Sequence, residues 1–117
     1  MRRISIKESL APLKVPVERF PYYGNADTYF VYQTISIYGG VYADNIATED
    51  IAEYQLTLYT RSNWRRIIGN AKRLLIESGY HIESIGPEMF DNDVRARAAA
   101  GSKYYQIPII ISRFEVL

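Results

Sequence analysis

The chain reads as an α+β domain, in which a mostly antiparallel sheet of four to five strands is packed by two main helices. Three observations carry that expectation. Residues 64–78 place Trp64, Ile67, Ile68, Ala71, Leu74 and Leu75 at three- and four-residue spacing, the stripe of an amphipathic helix. Residues 51–60 alternate instead, with Tyr54, Leu56 and Leu58 on one side and Glu53, Gln55, Thr57 and Tyr59 on the other. Two more segments, 28–38 and 104–117, are rich in β-branched and aromatic residues. A helix stripe beside several such strands implies a sheet covered by helices. At 117 residues the chain has room for one core, so a single domain over 1–117 is expected.

In chain order, Ser5 and Glu8 have capping-box spacing and predict a short helix, with Ile6, Leu10 and Leu13 as its apolar stripe. Pro12 and Pro16 end it. Residues 17–20 fit a short strand, closed by Pro21 and a turn at Gly24 and Asn25. In the strand 28–38 the odd positions Tyr29, Val31, Ile35 and Ile37 form the more apolar side. The even side is mixed. Gly39 and Gly40 predict a break, with a loop over 39–50 that is mobile in a free subunit and orders against a neighbouring copy or a larger assembly partner such as a tube. Strand 51–60 then pairs back on 28–38 as a long hairpin.

The helix of 64–78 is capped by Ser62 or Asn63 and ends at Gly79. A strand over 80–85 follows, ended by Gly86 and Pro87. Residues 88–102 read as a loop, or as a short helix over 93–100 stopped by Gly101. In the last strand, 104–117, Pro108 removes one donor and predicts an edge position or a bulge.

Composition excludes several classes. Fourteen Lys and Arg against thirteen Asp and Glu leave a formal charge of +1, so a dedicated nucleic-acid or membrane-surface binder is not expected. There is no cysteine, hence no disulfide and no thiolate nucleophile or ligand. The arginines at positions 2 and 3 have no long apolar stretch behind them, so no signal peptide is expected and synthesis in a cytoplasm is the natural reading. Eleven tyrosines suit either half-exposed sheet faces or a protein interface.

Candidate chemistry is sparse. His81 is the one histidine, too few for a hydrolytic triad or a histidine zinc site. Asp91, Asn92 and Asp93 lack the spacing of a calcium loop and read as a turn. Glu49 and Asp50 are adjacent and solvated rather than convergent. Gly39 and Gly40 are followed by no phosphate-cradling motif. No catalytic residue, cofactor or metal is therefore expected, and the chain reads as a non-enzyme. The basic set Arg61, Arg65, Arg66, Lys72 and Arg73 is either a solvated helix face or a surface for acidic groups or phosphates. Arg65, Arg66, Lys72 and Arg73, with Tyr42 and Ile46 from the 39–50 segment, are the candidate subunit or partner interface.

Four segments carry a resemblance: LAPLKVPV at 10–17, FVY at 30–32, LYT at 58–60 and RFEV at 113–116. By these and by the order of elements around them, the chain resembles the tail-completion (tail-terminator, head-tail joining) proteins of long-tailed bacteriophages. The resemblance implies a structural virion protein with no catalytic residues. It implies a homo-oligomeric ring, commonly a hexamer, that caps the tail tube and joins it to the head connector. It further implies partners in the tail tube protein and the connector proteins, with contact to DNA in the channel and none to a membrane. Localisation would be the head-tail interface of the virion, after assembly in the bacterial host cytoplasm. The segment AAAG at 98–101 departs from that pattern. The competing class is a small ligand- or RNA-binding α/β regulatory domain, which would display aromatics beside lysines on its sheet. These strands are poor in lysine.

Overall fold

Val17, Phe30, Leu58 and Ile107 are successive partners across four neighbouring strands, each at most 3% exposed, and they form the central row of the core. The computed structural model describes residues 4–22, 26–43, 46–91 and 104–115, apart from the side chains of 39–49, 90 and 91. Along the chain come α1 (Ile6–Ser9), a 3-10 turn (Ala11–Leu13), β1 (Val17–Arg19), β2 (Thr28–Ala43) and β3 (Ile46–Thr60). Then follow α2 (Trp64–Glu77), β4 (His81–Ile85), β5 (Met89–Asp91) and β6 (Tyr104–Glu115). The strands form one sheet in the order β1-β2-β3-β6-β4, and the short β5 also pairs with β6. The fold is a single α+β domain.

The sheet is mixed rather than mostly antiparallel. β1 runs parallel to β2, while β2-β3, β3-β6, β4-β6 and β5-β6 are antiparallel. On either side of the connection from β1 to β2, Tyr22 and Ala26 pack against Tyr29, Val31 and Tyr104 on the sheet face away from the helices. The expected turn at Gly24 and Asn25 lies outside the described residues.

All the helical elements lie on one face. Ser5 caps α1 through the anticipated box, its hydroxyl accepting from the Glu8 amide at 3.1 Å while the Glu8 carboxylate accepts from the Ser5 amide at 3.2 Å. Ile6 and Leu10 enter the core from this side. Ser9 then fixes α1 to the end of α2, donating to the Leu74 carbonyl at 3.0 Å and sharing a hydrogen bond with Ser78 at 2.7 Å. α2 buries Ile68, Ala71 and Leu75 and half-buries Trp64, Ile67 and Leu74, which is the stripe read from its spacing. Asn63 occupies the N-cap without a side-chain cap bond. Gly79 turns the chain out of the helix at φ +92°, a conformation open to glycine at little cost.

Three expectations are corrected by the strands. The segment 39–50 is not a loop: β2 runs to Ala43 and β3 starts at Ile46, with Gly39 opposite Asp50 and Ala43 opposite Ile46. The paired glycine break is absorbed as a register shift between Gly39 and Val41. Second, the apolar side of β2 switches. Phe30 and Tyr32 face the helices and Tyr29 and Val31 face away. An extra residue at Ile35, where the register shifts, then brings Ser36 opposite Glu53 and Ile37 opposite Ala52. Third, Pro108 lies on a central strand. Its carbonyl accepts from the Gly86 amide at 2.8 Å, so its donor-less nitrogen faces the same side, where β4 has ended and β5 has not begun. β5 itself falls in the stretch read as loop or helix. The remainder of that stretch, 92–102, is outside the described residues.

Candidate interaction surface

The face of the sheet opposite the helices divides into three parts. At one end four tyrosines make a second small core. Tyr29 stacks on Tyr59 with ring centres 4.9 Å apart, Tyr22 lies 4.6 Å from Tyr29, and Tyr104 meets Tyr29 edge-on at 6.0 Å. The Tyr104 hydroxyl donates to the Ala26 carbonyl at 3.1 Å, and Arg61 covers its ring at 4.9 Å while reaching Asp27 at 3.6 Å. These tyrosines serve packing. The middle is polar, with Gln33, Gln55 and Thr57 lining a small cavity of about 90 Å³.

The far end is an open groove of about 370 Å³, lined by Tyr38, Ile51, His81, Glu83, Ser112 and Phe114 among others. Within it Ser112 donates to Glu83 at 2.6 Å, and His81 lies 3.9 Å from the same carboxylate. Beside the groove, Ser36 donates to Glu53 at 3.0 Å. Ser112 is directed at Glu83 and not at His81, so the arrangement lacks the serine-histidine contact of a nucleophilic site. Among the described residues no group of three or more His, Cys, Asp or Glu is placed to hold a metal ion. No helix is long and apolar enough to cross a membrane.

On the helix side of the same end, a buried polar knot holds the N-terminal segment. Arg113 places its guanidinium 4.1 Å from the Tyr80 ring centre and 3.4 Å from Glu115, and it donates to the Ile4 carbonyl. Glu115 also accepts from the Tyr54 hydroxyl at 2.6 Å. Burial, then the Glu115 carboxylate, raises the Tyr54 phenol well above its ordinary value. Burial also pushes Tyr80 up to about 12, against the pull of Arg113.

The residues singled out in the sequence stand on two separate layers. Arg65, Arg66, Lys72 and Arg73 are exposed on the outward side of α2. Arg65 covers Trp64 at 5.2 Å, and Arg66 lines a groove of about 330 Å³ with Leu13, Val15 and Ile67. Tyr42 and Ile46 lie at the end of the β2-β3 hairpin, beyond the last β3-β6 pair at Asp50 and Glu115, and their side chains lie outside the described residues.

What the sequence reading missed is the pair of open sheet edges. β1 covers β2 only at Phe30, Val31 and Tyr32, and the Phe20 amide adds one bond to the Tyr32 carbonyl. From Gln33 to Tyr38 no described residue pairs with the outer edge of β2. Ile35, Ile37 and Tyr38 are there 42%, 48% and 47% exposed. At the other end of the sheet, β4 and β5 form the second edge and expose Ile85 and Met89. One signal was available: the run QTISIY at 33–38 contains no charge and no proline, the usual guards of a strand edge.

No family model matches the chain, and no curated protein matches it.

Proposed function

We propose that this chain is a structural virion protein of a long-tailed phage, one that caps the tail tube as a homo-oligomeric ring of six copies and joins the tail to the head connector. The observation that carries the reading is the series of motifs shared with tail-completion proteins. In the fold three of the four motifs meet: Leu10 and Val17, Phe30, and Leu58 belong to one core cluster, and all but Leu10 lie in the central row of the sheet. The fourth, at 113–116, stays outside that cluster, with Phe114 exposed. A ring subunit also needs two different surfaces that meet when copies are related by rotation. The open edges at opposite ends of the sheet supply such a pair. The basic outer side of α2, at Arg65, Arg66, Lys72 and Arg73, then serves contacts with acidic neighbours or with DNA in the channel. The hairpin end with Tyr42 and Ile46 serves the tube or an adjacent copy.

Its partners on this reading are the tail tube protein and the connector proteins, and its place is the head-tail interface. Polymerisation tests it. Purified chain added to growing tail tubes should stop elongation at one end and remain there with a mass of several copies. Tubes that keep growing with no bound chain would count against the reading.

A further inference from the structure

We propose that the open edge of β2 at residues 33–38 binds the β4 edge of a second copy of this chain, so that neighbouring subunits share one continuous sheet. The proposal rests on the ring reading and names the surface by which copies meet. Four observations carry it. Among the described residues nothing pairs with the outer backbone groups of this β2 stretch, which lie beside exposed Ile35 and Ile37, and the stretch carries no charge and no proline, its one edge guard being the bulge at Ile35. The opposite edge is of similar length, His81–Ile85, and exposes Ile85 with Met89 just beyond. Three antiparallel pairings separate β2 from β4, so the two strands run in opposite directions. Rotation of a copy about an axis near the strand direction therefore brings β2 antiparallel to its neighbour's β4, the more favourable ladder.

The last observation is one of register. Glu18 of β1 is level with Val31, Val31 with Thr57, and Thr57 with Pro108. The short strand β1 on one edge thus stands level with residues 86–88, which connect β4 to β5 on the other and bond Pro108 through the Gly86 amide. By the same registers β4 stands level with Gln33 to Ser36, the stretch that β1 leaves uncovered. The uncharged 33–38 stretch sets no like charge against His81 or Glu83. A second copy fits this edge better than an arbitrary extended peptide, because both halves of the match belong to this chain. The two edges differ, so the contact is head-to-tail and closes only as a ring.

The absence of cysteine makes the test direct. Ser36→Cys on β2 and Ser84→Cys on β4 are made in separate copies, mixed, and treated with a short bismaleimide, both free at high concentration and after addition to tail tubes. The expected result is a covalent pair containing one of each copy, absent when either variant is treated alone. Adding Thr34→Pro to the Ser36→Cys copy should lower the yield about tenfold. Its amide continues the outward alternation of Phe30 and Tyr32 and has no described partner within the subunit. If Thr34→Pro disturbs folding, Ile37→Lys replaces it and should act the same way by charging the edge. Pairs formed equally well by either variant alone would overturn the proposal in favour of like-to-like contact. A wild-type ring, established by mass, whose mixed variants give no pair would overturn the edge contact and leave the ring reading standing. A wild-type chain that stays monomeric at all concentrations and does not bind tubes would overturn both.

Discussion

Arg113 lies over the ring of Tyr80 at 4.1 Å, and through that contact the last strand, the start of β4 and the first described residues are held together. Tyr80 donates to the Ile4 carbonyl at 3.3 Å, and Arg113 donates to the same oxygen. The N-terminal segment is thereby clamped on the helix side of the sheet, away from the groove on the far face and from the β2 edge at 33–38.

Replacing Arg113 with Met keeps most of the stem and removes the charge. It should cost about 2 kcal/mol, the range of a desolvated cation-π contact, with a further loss from stranding Glu115. Urea unfolding reads this as a lower midpoint at unchanged slope. An unchanged midpoint would show that the clamp contributes nothing.

The two raised phenols give the protein an alkaline limit. Tyr80 is pushed up to about 12 and Tyr54 is raised as well, so between pH 10 and those values the folded chain holds protons that the unfolded chain has released. Folding stability contributed by the shifts is fully present below pH 10 and is lost as pH rises through the folded values. Unfolding free energy should therefore be level from pH 8 to 9 and fall steadily above 10. Tyr80→Phe should flatten that fall, and an equally steep fall in the variant would contradict the assignment.

α2 offers a paired test of the core. Leu75 is fully buried, and Leu75→Ala should destabilise by about 2–5 kcal/mol. Ile76, the next residue, is 52% exposed on the outward side, and Ile76→Ser should stay within about 0.5 kcal/mol. Thermal unfolding of the two variants separates them, and equal losses would mean that the helix faces the sheet differently.

Elements with strong local periodicity were legible in the sequence. The α2 stripe, the Ser5-Glu8 capping box and the alternation of 53–59 all lie where their spacing placed them. What was not legible depends on non-local pairing. Gly39 and Gly40 look like a terminator by local preference, yet strand pairing across Gly39 and Asp50 carries the hairpin through them. The extra residue at Ile35 swaps the faces of β2, and a strict odd-even count cannot register such a swap. Pro108 pointed to an edge because its missing donor must face a gap. The gap exists, but it lies between β4 and β5 beside a central strand. The interface residues read from composition were the charged and loop-like ones. The open edges emerge only once the strand order is known.

The central claim, that this chain caps and joins phage tails, is met most directly by electron microscopy of particles made without its gene. The account predicts tails of abnormal length that are not attached to the filled heads, and normal particles when the gene is supplied in trans. Tails of normal length attached to filled heads in the absence of the gene would contradict it.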